Sequence, residues 1–309
     1  DGIARNRAAR GASRFGAHQR RSAWALMLPA LLLLSIFIVV PFLLAIGLSF
    51  TNQRLVPNPN APTIFVGALN YLRLFARPEF VQAFWNTFLF ALLVTPLQSA
   101  AALGAAVLLN SRLPGRDIFR GIFFLPTVIT MVVVCVIWAA LFRLDGFFNQ
   151  ALGALTFGAV GPIDWLRNPW TALPALVVLS AWQGFPFQMV VYLAGLQQIS
   201  PELYEAARVD GANRWQEFWH VTMPGLRNTH IFVIVTTTIL AFKLFTQVNL
   251  LTQGGPQGAT QTVVRYIYEF GFQRGSVGIG AAASVIFFLV VLGISIGQRL
   301  VLKSEEAVR

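Results

Sequence analysis

Lysine is almost missing from this chain. Only Lys243, preceded by Phe242, and Lys303, preceded by Leu302, occur in 309 residues. No Gly-Lys-Ser/Thr phosphate loop can therefore be formed, and any nucleotide that drives the protein is bound by another chain. Cysteine is rarer still. Cys135 alone excludes an internal disulfide, and its place in the run MVVVCVIW fits a small buried hydrophobe better than a reactive thiol. The three histidines, His18, His220 and His230, have no second ligand at metal spacing, so neither a metal nor another cofactor is expected in this chain. Charge is scarce as well. Charged residues make up 11% of the sequence, against roughly 25% in a soluble domain, while 56% are hydrophobic and the mean hydropathy is +0.65. Such a composition marks a polytopic membrane protein.

What the chain has instead is long apolar runs. Six stretches, approximately 24–50, 83–109, 118–142, 172–196, 229–252 and 277–301, are each long enough to cross about 30 Å of hydrocarbon at ~1.5 Å per residue. The first follows Arg20 and Arg21 but is too long for a signal peptide and lacks a small-residue cleavage site, so it reads as a spanning helix with kinks at Pro29 and Pro41. With the N-terminus inside, fifteen arginines and lysines fall on the cytoplasmic side and seven outside. The positive-inside rule then places both termini and the 200–228 loop in the cytoplasm. The chain divides into a basic tail (1–22), a six-helix membrane domain (23–303) and a short tail (304–309). The net charge of +11 needs no nucleic acid, because an arginine-rich tail beside a bilayer meets anionic head groups or fixes topology. No Asp or Glu falls within the six runs. That argues against a proton- or sodium-coupled carrier, and no nucleophile with its base lies at membrane depth to make an intramembrane enzyme.

The most polar long segment in the middle of the chain is EAARVDGANRWQEFWHVTMP, Glu205 to Pro224. Ser200, Pro201 and Glu202 supply an N-cap, a proline at the first helical position and an acid in the first turn, which predicts a helix through LYEAARV. Gly211 breaks it. Asn213 and Gln216 form a capping-box pattern that restarts a second helix, ending before Pro224, with Trp215, Phe218 and Trp219 on one face. Physically the pair is either an interfacial helix resting its aromatics among lipid head groups or a knob for a cytoplasmic partner.

Glu-Ala-Ala, three residues, Gly-Ala, an aromatic-rich helix and a final proline together resemble the "EAA" loop of the membrane subunits of bacterial ABC importers. FVGALNYLRLFARPEFVQAFWNTFLF, PIDWLRNP, LAGLQQISPELYEAARVDGA, LLTQGGP and GIGAAASVIFF, in this order from about Ala23 to Lys303, are similar to the carbohydrate-uptake branch related to the maltose and glycerol-phosphate permeases. Departures are mild: Ala68 follows Val-Gly, and Val221 and Met223 precede the last proline. The resemblance implies an all-α, type I ABC importer permease in a prokaryotic inner membrane. Its partners would be a second permease, two ATPase subunits carrying ATP and magnesium, and an extracytoplasmic solute-binding protein that delivers sugar. Carried over by residue, Glu205 would meet a basic residue of the ATPase, Ala206 and Ala207 would pack in its groove, and Gly211 would form the turn of the coupling helix, with Asp210 and Ala212 beside it also in the stretch that couples to the ATPase.

The transport path calls for polar groups that lipid rejects. Lys243 lies well inside the fifth run, where a lysine costs on the order of 3 kcal/mol, so it faces a cavity or snorkels to an interface. Gln247 and Phe245 accompany it. In the fourth run Gln183 and Gln188 surround Gly184 and Pro186, which predicts a distorted helix with freed backbone groups, and Tyr192 lies a turn further on. Ser284 is a weaker candidate in the sixth. The amides suit a sugar and equally suit a polar helix interface. Lys243 is compatible with an anionic cargo such as glycerol phosphate or with a neutral glycoside.

Overall fold

The computed structural model describes residues 22–56, 62–111 and 114–304. The expected tails lie almost wholly outside the described residues, as do Arg112 and the side chain of Lys303. Helices dominate. Among the described residues the only strand-like pairing is an isolated bridge between Thr51 and Phe65.

The first helix, α1, spans Ser22–Ser49. Pro41 has no N–H for the carbonyl one turn back, and the helix accommodates it with a π turn at Ser35–Val39, in which the Val40 N–H reaches the Ser35 carbonyl. At Pro29 the helix is unbroken. Two further helices follow, α2 (Leu69–Phe75) and α3 (Pro78–Asn110). The latter begins five residues before the expected start, since polar Glu79 and Gln82 lie outside the apolar run yet belong to the helix. Pro78 and Glu79 at its start are the residues that favour a helix N-terminus.

The third expected span is not one helix. It comprises α4 (Arg116–Val128) and α5 (Met131–Leu141), bent by 100° at Ile129–Thr130. Pro126 removes a backbone donor from the end of α4, and Ile129 and Thr130 adopt extended backbone, so the apolar run turns sharply in place of continuing. After a short α6 (Phe147–Leu155) comes α7 (Ala172–Leu196). Contrary to the expectation at Gly184 and Pro186, α7 runs without interruption. Gly184 serves close approach: a Cβ there would stand 2.4 Å from Nε2 of Gln98 on α3.

Beyond the polar interruption, α10 (Arg227–Phe242) and α11 (Thr246–Leu251) form the fifth span, broken at residues 243–245. A loop leads to α12 (Val263–Tyr268) with a π turn at Glu269–Gln273, and α13 (Val277–Ser304) closes the bundle. Among the described residues five helical spans are thus long and apolar enough to cross a membrane, and six if the bent pair counts as one. The central pair is α3 and α7, with α10 packed on both. Small Ala102 and Ala106 face Met189, Leu193 and Leu196 across that seam, joined by Leu226 and Val233. Small residues let two helices approach closely where the surrounding lipid is as apolar as the interface. Helix α1 packs on α13, with the Phe42 and Phe288 rings 4.6 Å apart. Its most apolar stretch is otherwise wholly uncovered, as suits a helix that is apolar all round and faces lipid.

Candidate functional site

Two constellations emerge from this frame, one outside the spans and one within them. The polar interruption folds as α8 (Pro201–Val209) and α9 (Arg214–Glu217), the latter continued by a π turn at Phe218–Thr222 and a last turn at Met223–Gly225. Ser200 stands at the N-cap with extended backbone, but its side chain makes no capping hydrogen bond. The start is carried by Pro201 and Glu202. Between the helices, the Gly211 N–H bonds the Arg208 carbonyl at 3.0 Å and the Ala212 N–H bonds the Ala207 carbonyl at 2.9 Å. This is a Schellman arrangement, and it requires the φ of +82° that Gly211 adopts. Asn213 then caps α9 fully: its Oδ1 accepts from the N–H groups of Trp215 and Gln216, both at 3.0 Å, while its own N–H donates to Gln216 Oε1 at 2.8 Å. The predicted stop before Pro224 is not observed. Pro224 lies inside the continuing helix, the Met223 N–H reaching the Phe218 carbonyl through the π turn.

An ion pair that sequence spacing does not suggest locks the two helices together. Arg208 Nε lies 2.8 Å from Glu217 Oε1, and the hydrogen bond to that carboxylate pushes the Arg208 pKa up. Tyr204 and Thr222 hydroxyls meet at 3.0 Å. Trp215 stacks on Phe218, and Trp219 meets both rings edge-on, which leaves Trp215 69% exposed. Glu205, Ala206, Asp210 and Gly211 are exposed, whereas Ala207 and Ala212 are half-buried. At the other end Leu226 is fully buried in the α3–α7 seam, so the knob is seated directly on the bundle and leads without a linker into α10.

The second constellation is a cavity of about 240 Å³ where α3, α7 and α10 meet the break at residues 243–245. Its polar lining is Gln98, Ser180, Gln183, Thr237, Lys243 and Gln247. Gln247 Nε2 approaches Ser180 Oγ at 3.4 Å. Lys243 ends α10, where the negative end of the helix dipole favours a cation, and among the described residues no ion pair includes it.

A family model described as "Binding-protein-dependent transport system inner membrane component" matches residues 98–304, a range that contains the polar interruption and every polar residue of the cavity lining. The chain belongs to that family. Relatives of this permease include the trehalose/maltose transport system permease protein MalF of Thermococcus litoralis, 32% identical over 90% of this chain and 92% of the relative. The lactose transport system permease protein LacF of Rhizobium radiobacter is 34% identical over the same shares of each chain. A crystal structure of a bacterial ABC transporter involved in the import of the acidic polysaccharide alginate superposes with a TM-score of 0.77 at 25% identity, covering 94% of this permease and 99% of that chain.

Of the residues picked out in the sequence for a path through the permease, the structure gathers Gln183, Lys243 and Gln247 around one cavity. The others lie elsewhere. Gln188 is buried behind it, donating to Thr237 Oγ1. Tyr192 is buried in the α3–α7 seam with its hydroxyl 2.9 Å from His230 Nδ1, Phe245 packs on Tyr268 at 5.2 Å, and Ser284 donates to the Gly280 carbonyl at 2.9 Å. Gln98 and Thr237 were missed. An amide in the apolar run TPLQSAA is itself a signal, since a polar side chain at membrane depth needs a partner or a cavity.

Proposed function

We propose that this permease forms half of the translocation path of an ATP-driven saccharide importer, with a second permease chain supplying the other half. The observation that carries the reading is the agreement between relatives named for trehalose, maltose and lactose transport over nine-tenths of the chain and an amide-lined cavity at the break at residues 243–245, which carries a lysine. Amides both donate and accept hydrogen bonds, which matches the hydroxyls of a sugar. A solute-binding protein delivers the cargo from outside, in keeping with the family's description. Two ATPase subunits bind ATP and magnesium beneath the knob, and both termini lie in the cytoplasm of a prokaryotic cell whose inner membrane holds the complex.

The mechanism follows from the seating of the knob. Closure of the ATPases displaces α8 and α9, held to each other by the Arg208–Glu217 pair and to the bundle by Leu226. Helix α10 begins at Arg227 and ends at Phe242, next to Lys243, a strut of about 24 Å at ~1.5 Å per residue, so motion of the knob arrives at the cavity wall. The break at residues 243–245 then separates the moving strut from α11. Two access states exchange in this way, and the ligand-loaded binding protein and ATP shift the balance only by what each binds better in one state.

A cargo carrying carboxylates is the second reading. Lys243 favours it, and the structurally similar transporter imports acidic alginate. The test is a screen in proteoliposomes of the complete transporter with its binding protein: ATP hydrolysis accelerated by neutral disaccharides supports the first reading, acceleration by oligouronates alone the second, and acceleration only by amino acids or peptides refutes both.

A further inference from the structure

The outer end of the bundle holds a second polar cavity that this path does not use. It lies between the first turn of α3, the loop 252–262 and α12 with its π turn, and its volume is about 390 Å³, within the ~300–1,000 Å³ of small-molecule sites. Four glutamines line it, Gln82, Gln253, Gln257 and Gln261, together with Glu79 and Glu269. Three non-glycine residues among those described have positive φ, and two of them are Gln253 and Gln257, both at +51°. Backbone held in that region persists only where its surroundings over-determine it. Here they do. Asn86 Nδ2 donates to the carbonyls of Gly258 at 2.7 Å and Gln261 at 3.0 Å, and the Thr252 and Thr260 hydroxyls meet at 2.7 Å. The loop backbone is therefore a built scaffold that carries the exposed Gln253 and Gln257 side chains on one wall.

Beneath them, Gln261 is only 9% exposed. Its Nε2 donates to Glu269 Oε2 at 2.9 Å, but its buried Oε1 has no hydrogen-bond partner. The charge balance narrows the ligand class. Glu269 is already paired with Arg274 at 2.5 Å and Arg265 at 3.6 Å, and among the described residues no group of three His, Cys, Asp or Glu side chains could hold a metal ion. Arg274 also lines the cavity but is taken up by Glu269, so an anion would meet the Glu79 carboxylate with no free cation beside it among the described lining residues. What suits the three exposed amides of Gln82, Gln253 and Gln257 is a neutral ligand dense in hydroxyls.

We infer that this outer cavity is an entry subsite for a neutral saccharide, occupied before the cargo reaches the Lys243 cavity. The inference rests on the saccharide-import reading and on the arginine count that puts this end outside. Photolabelling of the complete transporter in nanodiscs with diazirine-bearing maltose and lactose, followed by peptide mapping, tests it. The expected result is label on both 252–274 and 237–251, with Gln257→Ala and, separately, Gln82→Ala lowering the first by about five- to tenfold, as loss of one hydrogen bond does, and leaving the second unchanged. Label confined to 237–251, or label on 252–274 indifferent to both substitutions, overturns the subsite while the import reading stands. Absence of label from both segments counts against the import reading and the subsite together.

Discussion

Replacing Gly211 separates backbone conformation from contact, because nothing lies within 4 Å of a Cβ built there. Whatever a substitution costs at this position therefore comes from the φ of +82° and not from a clash. For an ordinary L-residue the left-handed region costs roughly 1–2 kcal/mol, Asn pays less, and a β-branched residue is worst. A turn weakened by ~1.4 kcal/mol is held about tenfold less often in the geometry that fits a partner. The hydrogen bonds at stake are those from the Gly211 and Ala212 N–H groups, at 3.0 and 2.9 Å. Transport and binding-protein-stimulated ATP hydrolysis in proteoliposomes, normalised to inserted chain, should fall in the order Gly, Asn, Ala, Val, with Val reduced on the order of tenfold or more. Valine at the native rate, or Asn worse than Val, would refute the reasoning, since neither follows from φ.

Three further outcomes are expected. Asn213→Ala removes the cap of α9 at a cost of about 1 kcal/mol, so the amides of Trp215 and Gln216 should exchange hydrogen faster while those of α7 do not, and uniform exchange across both would contradict the cap's local role. Lys243→Glu puts the opposite charge into the cavity and should abolish uptake in a chain that still inserts and assembles; undiminished uptake would place Lys243 outside the path. Gly184→Ala pushes the amide of Gln98 from its place at 2.4 Å, and because the far end of a flexible side chain yields for only ~0.5–1.5 kcal/mol, the thermal midpoint should hardly move while the apparent affinity for cargo shifts. A large fall in the midpoint with unchanged affinity would show that Gly184 serves packing alone.

How far the sequence spoke depended on whether the signal was local. Five of the six apolar runs long enough to cross hydrocarbon, the Asn213–Gln216 capping box and the turn at Gly211 are set by neighbouring residues, and the structure has each of these, the third run alone being sharply bent. Bends were harder. Pro41 and Pro224 are both met by a π turn just before the ring, Pro186 sits in an uninterrupted helix, and the sharp break falls at Ile129–Thr130, three residues beyond Pro126. A proline removes one donor in every case, and what the helix does about it depends on neighbours that are remote in sequence. The candidate path shows the same divide. Lys243 and Gln247 announced themselves by polarity inside an apolar run, but which glutamines share a cavity is decided by the crossing of α3, α7 and α10, and so Gln98 entered while Gln188 and Tyr192 left. The Arg208–Glu217 pair bridges two helices across a turn, a relation no helical periodicity encodes.

The central claim is that force from a partner enters through the 200–228 element. The measurement that tests it most directly is co-purification of the cognate ATPase subunit with the native permease and with a Glu205→Lys, Gly211→Val variant, at matched insertion and matched assembly with the second permease. Retention by the native chain and loss by the variant is the predicted result. Equal retention by both would contradict the claim and leave the exposed tryptophans to an interfacial helix lying among lipid head groups.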